Sequence, residues 1–172
     1  MSGLKGEVMV LVTHFRMLAR YNRVANERLF AACSELNDAE YRKPRPGSFG
    51  SIHGLLNHIL FGDRIWMERF EGRGRTTPPV NTIQADGFEE LRRERVEEDS
   101  RIEDFFANLS ADFFSRSLLY TNLRGIDYVD DAAVAIAHFF NHQTHHRGQV
   151  HVMLSQTTVT PPSLDLHRIV NP

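Results

Sequence analysis

The chain has 172 residues, 41% hydrophobic and 24% charged, an ordinary soluble composition with room for one domain over residues 1–172 and a sizeable core. Lys plus Arg is 20 and Asp plus Glu is 22, a formal charge of −2, so the basic excess that holds a phosphate backbone is missing and no nucleic-acid partner is expected. The one cysteine, Cys33, excludes an intrachain disulfide, a cysteine zinc finger and a cysteine-held iron–sulfur cluster, which leaves histidine and carboxylate as the ligands for any transition metal.

From about Gly6 to Leu36 the apolar residues Val8, Val12, Phe15, Leu18, Ala19 and Leu29 fall mostly at helical spacing, with arginines between them, and predict a first helix. The short apolar run Val8 to Val12 is followed by His14 and fits neither a signal peptide nor a membrane span, so a cytoplasmic protein without membrane contact is expected. Asn37-Asp38 and the run Lys43 to Gly47, with two prolines, break the helix into a connection. Ser48 and Ser51 are candidate N-caps of a second helix running to about Glu71, with Ile52, Leu55, Leu56, Ile59, Leu60 and Trp66 as its core stripe. The turn-rich segment Gly72 to Pro79 ends it, and a crossover leads to about Asp86.

Phe88 to Leu109 reads as an outer helix, its charged face carrying Glu89 with Arg93 and Glu97 with Arg101 at the favourable four-residue spacing. Ser110 to Asp130 is too long for a structureless loop, and Ser117–Thr121 with Ile126–Val129 around Arg124-Gly125 predict a short hairpin. Asp130-Asp131 favour a helix start, and the pattern stays helical to about Gln156, a helix of ~27 residues and ~40 Å. The tail from Thr157 to Pro172 is expected to be extended. Four long amphipathic segments with long connections make an all-α four-helix bundle with crossovers the economical architecture.

Histidine is the unusual feature: there are nine, and five of them lie between His138 and His151. Residues four apart on a helix are offset by only ~40°, so His138, His142 and His146 form one stripe, while His145 and His151 are turned away from it. Neighbouring members of that stripe can share an ion, but a reactive zinc site usually draws three protein ligands and keeps one position open. His58 is the attractive third ligand, because it lies mid-helix among Leu55, Leu56, Ile59 and Leu60, where an imidazole is costly to bury unless both nitrogens are satisfied. Rival chemistries lack their signatures: no Glu is followed three residues later by His, as a di-iron bundle requires, and there is no H-E-x-x-H, G-x-S-x-G, P-loop or Rossmann glycine pattern.

The stretch Phe49 to Trp66, with L-x-H-I around His58, and the later His138-Phe-Phe-Asn-His142-Gln-Thr-His-His146-Arg-Gly-Gln149 resemble the bacterial DinB/YfiT-like family, with agreement running from Tyr21-Asn22 to the end of the last long helix. The resemblance implies a four-helix bundle of unusual helix order, commonly a homodimer, carrying a divalent ion on His58, His142 and His146. It leaves His138 as a packing or supporting residue. It further implies a thiol-dependent transferase or a hydrolase-like enzyme, acting on a small molecule together with a low-molecular-weight thiol. The family name refers to expression after DNA damage, a stress response, and not to DNA contact. Imidazole ligation suits several metals, with zinc and nickel leading. The ion would hold an open position and lower the pKa of a water or thiol there. A non-catalytic bundle with a structural ion is the alternative.

Five other residues carry expectations. Gln149 can orient a ligand or make an interhelical hydrogen bond, and the second is expected. Arg147 is expected to pair with an acid on the first or second helix. Asp63, five residues past His58, should point away from the ion. Trp66 is expected in the core, and Cys33 as a small buried hydrophobe.

Overall fold

The structure, a computed structural model, describes residues 2–73 and 82–171. It is mostly helical. Helix α1 spans Ser2–Cys33, α2 Asp38–Arg42, α3 Ile52–Phe70, α4 Phe88–Ala107, α5 Ala132–Leu154 and α6 Leu166–Val170. A 3₁₀ turn at Ala111–Ser115 precedes strands β1 (Ser117–Thr121) and β2 (Asp127–Asp131). Among the described residues no helix is long and apolar enough to cross a membrane.

The helix starts follow from local chemistry. Ser51 Oγ accepts the Gly54 amide at 3.0 Å and caps α3, which settles the choice between Ser48 and Ser51. Asn37 Oδ1 accepts the Glu40 amide at 2.9 Å and starts α2 inside the segment expected to be only a break. Three further expectations are corrected. The first helix ends at Cys33 and not Leu36, the tail holds α6, and the last long helix has 23 residues because Asp130 and Asp131 belong to β2 and the helix stops at Leu154. Most of the turn-rich segment after α3, Gly74 to Pro79, lies outside the described residues. The hairpin stands where the sequence placed it, antiparallel, with Leu119 opposite Val129 and Tyr120 opposite Tyr128.

Side-chain contacts give the directions of the four long helices. Arg16 reaches the Phe106 carbonyl, Arg23 meets Glu103 and Asn26 meets Asp99, so α1 and α4 are antiparallel. His58 meets His146 while Trp66 meets His138, so α3 and α5 are antiparallel as well. Arg64 with Glu94 and Arg101 with Glu71 make α3 parallel to α4. Because α3 and α4 run the same way, α4 begins beside the start of α3. The described residues just before α4 dock there, where Asn57 Oδ1 accepts the Gln84 and Ala85 amides at 2.8 and 3.0 Å.

The apolar interior is divided. One cluster gathers Leu29, Ile52, Leu55, Leu56, Ile59, Leu60, Leu91, Val150 and Leu154, and another Phe15, Met67, Phe70, Ile102, Phe106, Ile136 and Phe139. Along every long helix the residues between these clusters are polar and buried: Asn22 and Asn26 on α1, Asp63 on α3, Arg95 and Asp99 on α4, Gln143 and Arg147 on α5. Arg95 pairs with Asp63 at 2.5 Å and with Asp99 at 3.0 Å, and Gln143 donates to Asp63 at 2.8 Å. The two acids and two arginines of this layer balance in charge, which buried ions require. Arg147 makes no direct ion pair with an acid among the described residues: its guanidinium donates to the side-chain oxygens of Asn22 and Asn26, and Asp63 and Asp99 act on it from farther away.

Candidate metal centre

His58 occupies the middle of α3, and His142 and His146 lie one turn apart on α5. Leu55, Leu56, Ile59 and Leu60 are all buried around His58, so α3 is pressed against α5 by its apolar stripe and the imidazole is carried into the seam. His58 Nε2 lies 3.3 Å from His142 Nε2 and 3.2 Å from His146 Nε2. Ligand atoms of the three all fall within 4.8 Å of one another, the one such group among the described residues. His138 and Asp63 are outside it. His138 is exposed, with its ring 5.1 Å from that of Trp66, and Asp63 belongs to the polar layer.

The donor set fits a divalent cation. Nitrogens bound at ~2.0–2.1 Å in a tetrahedron stand about 3.3–3.4 Å apart, close to the spacings found. Imidazole ligands must also be neutral, and the site keeps them so. Burial is the main cause, helped by the neighbouring imidazoles: His58 is held down to about 4 and His142 to about 3. His146 is lowered too, by burial, against a hydrogen bond to Gln149 that works the other way.

That hydrogen bond corrects the expectation for Gln149. Its Oε1 lies 2.8 Å from His146 Nδ1, and its Nε2 lies 3.1 Å from His145 Nε2, so the bonds stay on α5. A carbonyl oxygen only accepts, so His146 carries its proton on Nδ1 and its Nε2 lone pair faces the other two rings. No such partner serves His58, whose Nδ1 is buried without a hydrogen bond. Its ring is held by stacking instead: Phe49 lies 3.7 Å away, centroid to centroid, at 16°, and meets His146 edge-on.

Two glycines make room for this packing. A Cβ on Gly54 would stand 2.2 Å from the Phe49 carbonyl oxygen, so only glycine lets the loop carrying Phe49 lie on α3. A Cβ on Gly62 would stand 2.7 Å from His142 Cε1. Sequence reading passed over Phe49, Gly54 and Gly62. The available signal was a glycine one turn after His58 inside a helix, a placement that costs ~1 kcal/mol against alanine and so asks for a reason.

The DinB family model matches residues 9–171. This chain belongs to the DinB family. Protein DinB of Bacillus subtilis (strain 168) is 27% identical to it over 148 residues, covering 81% of this chain and 83% of that protein. In this DinB-family chain the histidine cluster opens onto a cavity of about 410 Å³ between α3, α5 and the hairpin. Trp66 is only half-buried and stands in the wall of that cavity, which corrects its expected place in the core. Cys33 is buried, and burial pushes its thiol up to about 12, so it is inert at neutral pH, as a small hydrophobe should be.

Proposed function

We propose that this protein is a four-helix bundle of the DinB family that holds a divalent ion on His58, His142 and His146 and works as a metal-dependent enzyme, a thiol-dependent S-transferase or a hydrolase-like one. The observation that carries the reading is the approach of three neutral imidazole nitrogens to one point, 3.2 and 3.3 Å apart, at the mouth of a cavity. The described residues offer that point no fourth histidine, cysteine or carboxylate, which favours an open, reactive centre over a closed structural one. A bound ion there supplies Lewis acidity, activating a water or a thiol at neutral pH. The protein's own part is to keep the imidazoles neutral, fix the His146 tautomer through Gln149 and keep solvent off His58 with Phe49. Zinc or nickel as the ion, a low-molecular-weight thiol as co-substrate, a homodimer and a cytoplasmic setting belong to the same proposal.

Elemental analysis of the purified protein tests it, beside His58→Ala and His142→Ala checked for fold by circular dichroism. One transition metal per chain, lost in both folded variants, is expected. Full occupancy in either variant, or no metal in the native protein after reconstitution, would overturn the assignment. Chelation should leave a folded apoprotein, whereas a structural ion would let it melt.

A further inference from the structure

The cavity beside the histidine cluster has a second chemical end. His58 and Arg69 are eleven residues apart on α3, three turns, so they lie on one stripe about 16 Å apart along the helix. His58 and His142 stand at one end of the cavity and Arg69 at the other, with Trp66 and Tyr120 beside it. The Arg69 guanidinium lies 4.5 Å from the Trp66 ring centroid and 4.2 Å from that of Tyr120, resting against both of two rings whose own centroids are 5.5 Å apart.

Most other half-buried arginines are spoken for by acids. Arg64 has Glu94, Arg101 has Glu71 and Glu98, and Arg23 has Glu103. Arg69 has no ion pair among the described residues, and its one hydrogen bond is a long one, 3.5 Å, to the Thr121 carbonyl. Asp130 is the carboxylate that acts on it from the hairpin, but Asp130 Oδ2 is taken by the Tyr120 hydroxyl at 2.6 Å. The cation is thus partly desolvated, fixed in orientation by two rings, and left with free N–H donors in a cavity wall. A planar guanidinium so placed is built to receive a carboxylate through two parallel hydrogen bonds.

We propose that Arg69 is the anion-binding end of the substrate cavity, so that this protein takes an elongated small molecule with a carboxylate at one end and its reacting group at the other, beside His58 and His142. This deepens the functional reading and rests on it for the reacting end only. The carboxylate can belong to the thiol or to the molecule it is transferred to. Arg124, on the hairpin turn, lines the same cavity and adds positive charge at that end.

Trp66 is the chain's single tryptophan, so its fluorescence reports on this cavity. The protein, metal-free and reconstituted, is titrated with hexanoate, uncharged hexanamide and 6-mercaptohexanoate. Hexanoate is expected to bind both forms, and Arg69→Gln to weaken it at least tenfold while hexanamide binding, metal content and circular dichroism stay as they were. Arg69→Lys should restore part of the loss. With cobalt(II) loaded, 6-mercaptohexanoate should perturb the metal's visible spectrum in the native protein and need at least tenfold more ligand in Arg69→Gln. Hexanoate and hexanamide binding alike, or an Arg69→Gln variant that binds hexanoate as well as the native protein, would overturn the anion end. If instead the protein takes up no metal, the metal-free titration still decides the role of Arg69, and the functional reading fails separately. Loss of the cobalt response with butanethiol, but not with 6-mercaptohexanoate, would assign the carboxylate to the thiol. Equal responses to both thiols would assign it to the other substrate.

Discussion

Gly62 on α3 lies directly beneath the ring of His142 on α5: a methyl group in place of its hydrogen would stand 2.7 Å from His142 Cε1. Alanine is the better helix former by ~1 kcal/mol, so Gly62→Ala should leave the protein at least as helical as before. The added carbon must nonetheless push the imidazole out of the cluster. The expected result is a loss of metal affinity of at least tenfold with the circular dichroism spectrum retained, measured by competition with a chelating dye. Unchanged affinity would show that His142 does not need its present position to bind.

Acid should weaken the metal-free protein through the histidine cluster. His58 and His142 are held down to about 4 and about 3 by burial and by each other's company, whereas an unfolded imidazole titrates near ~6.5. A depressed pKa contributes stability that is present above ~6.5 and is lost as the pH falls toward the folded values, because the unfolded chain takes up the protons first. Buried Asp99, raised to about 7, has the opposite sign and favours the folded state as pH falls. The quantity to compare is therefore the change in urea midpoint between about pH 7 and about pH 5 in the native protein and in the double variant His58→Gln, His142→Gln. The native protein should lose more. An equal or larger loss in the double variant would exclude the cluster as the source.

The buried ion pairs make a third site of strong effect. Arg95→Ala would strand Asp63 and Asp99, both almost wholly buried, without their cation. Breaking one side of a buried pair costs about 3–5 kcal/mol, so the urea midpoint should fall steeply. Arg95→Ala combined with Asp99→Asn should recover part of that loss, since Asp63 then balances Arg147 and the layer is again neutral. A loss below ~1 kcal/mol for the single variant would mean that water reaches the carboxylates.

What the sequence made legible follows from how local each signal is. Helical spacing and caps located the four long helices to within a few residues, and the hairpin was marked by alternation around Arg124-Gly125. Spacing put His138, His142 and His146 on one helix face and burial cost pointed to His58 as their partner, while the family resemblance singled out His142 and His146 from the stripe. The short helices α2 and α6 were read as connections because five residues carry too little periodicity, although the Asn37 cap with Glu40 three residues on was there to be seen. Phe49, Gly54 and Gly62 matter through contacts between separate parts of the chain, which no spacing rule reports. Arg147 found amides in place of acids for the same reason: its surroundings are set by α1, more than a hundred residues away.

The polar layer also acts as a vernier. Asp63 is bonded to Gln143 on α5 and to Arg95 on α4, five residues beyond His58 and one after His142. Sliding α5 along α3 by a single turn, ~5.4 Å, would break the Gln143–Asp63 bond and carry the buried Arg147 charge toward hydrocarbon, whereas the leucines and phenylalanines on either side would tolerate the shift far better. Nitrogens that must meet within a few tenths of an ångström thus take their alignment from residues that never touch them, and an interior made of hydrocarbon alone would leave that alignment to chance.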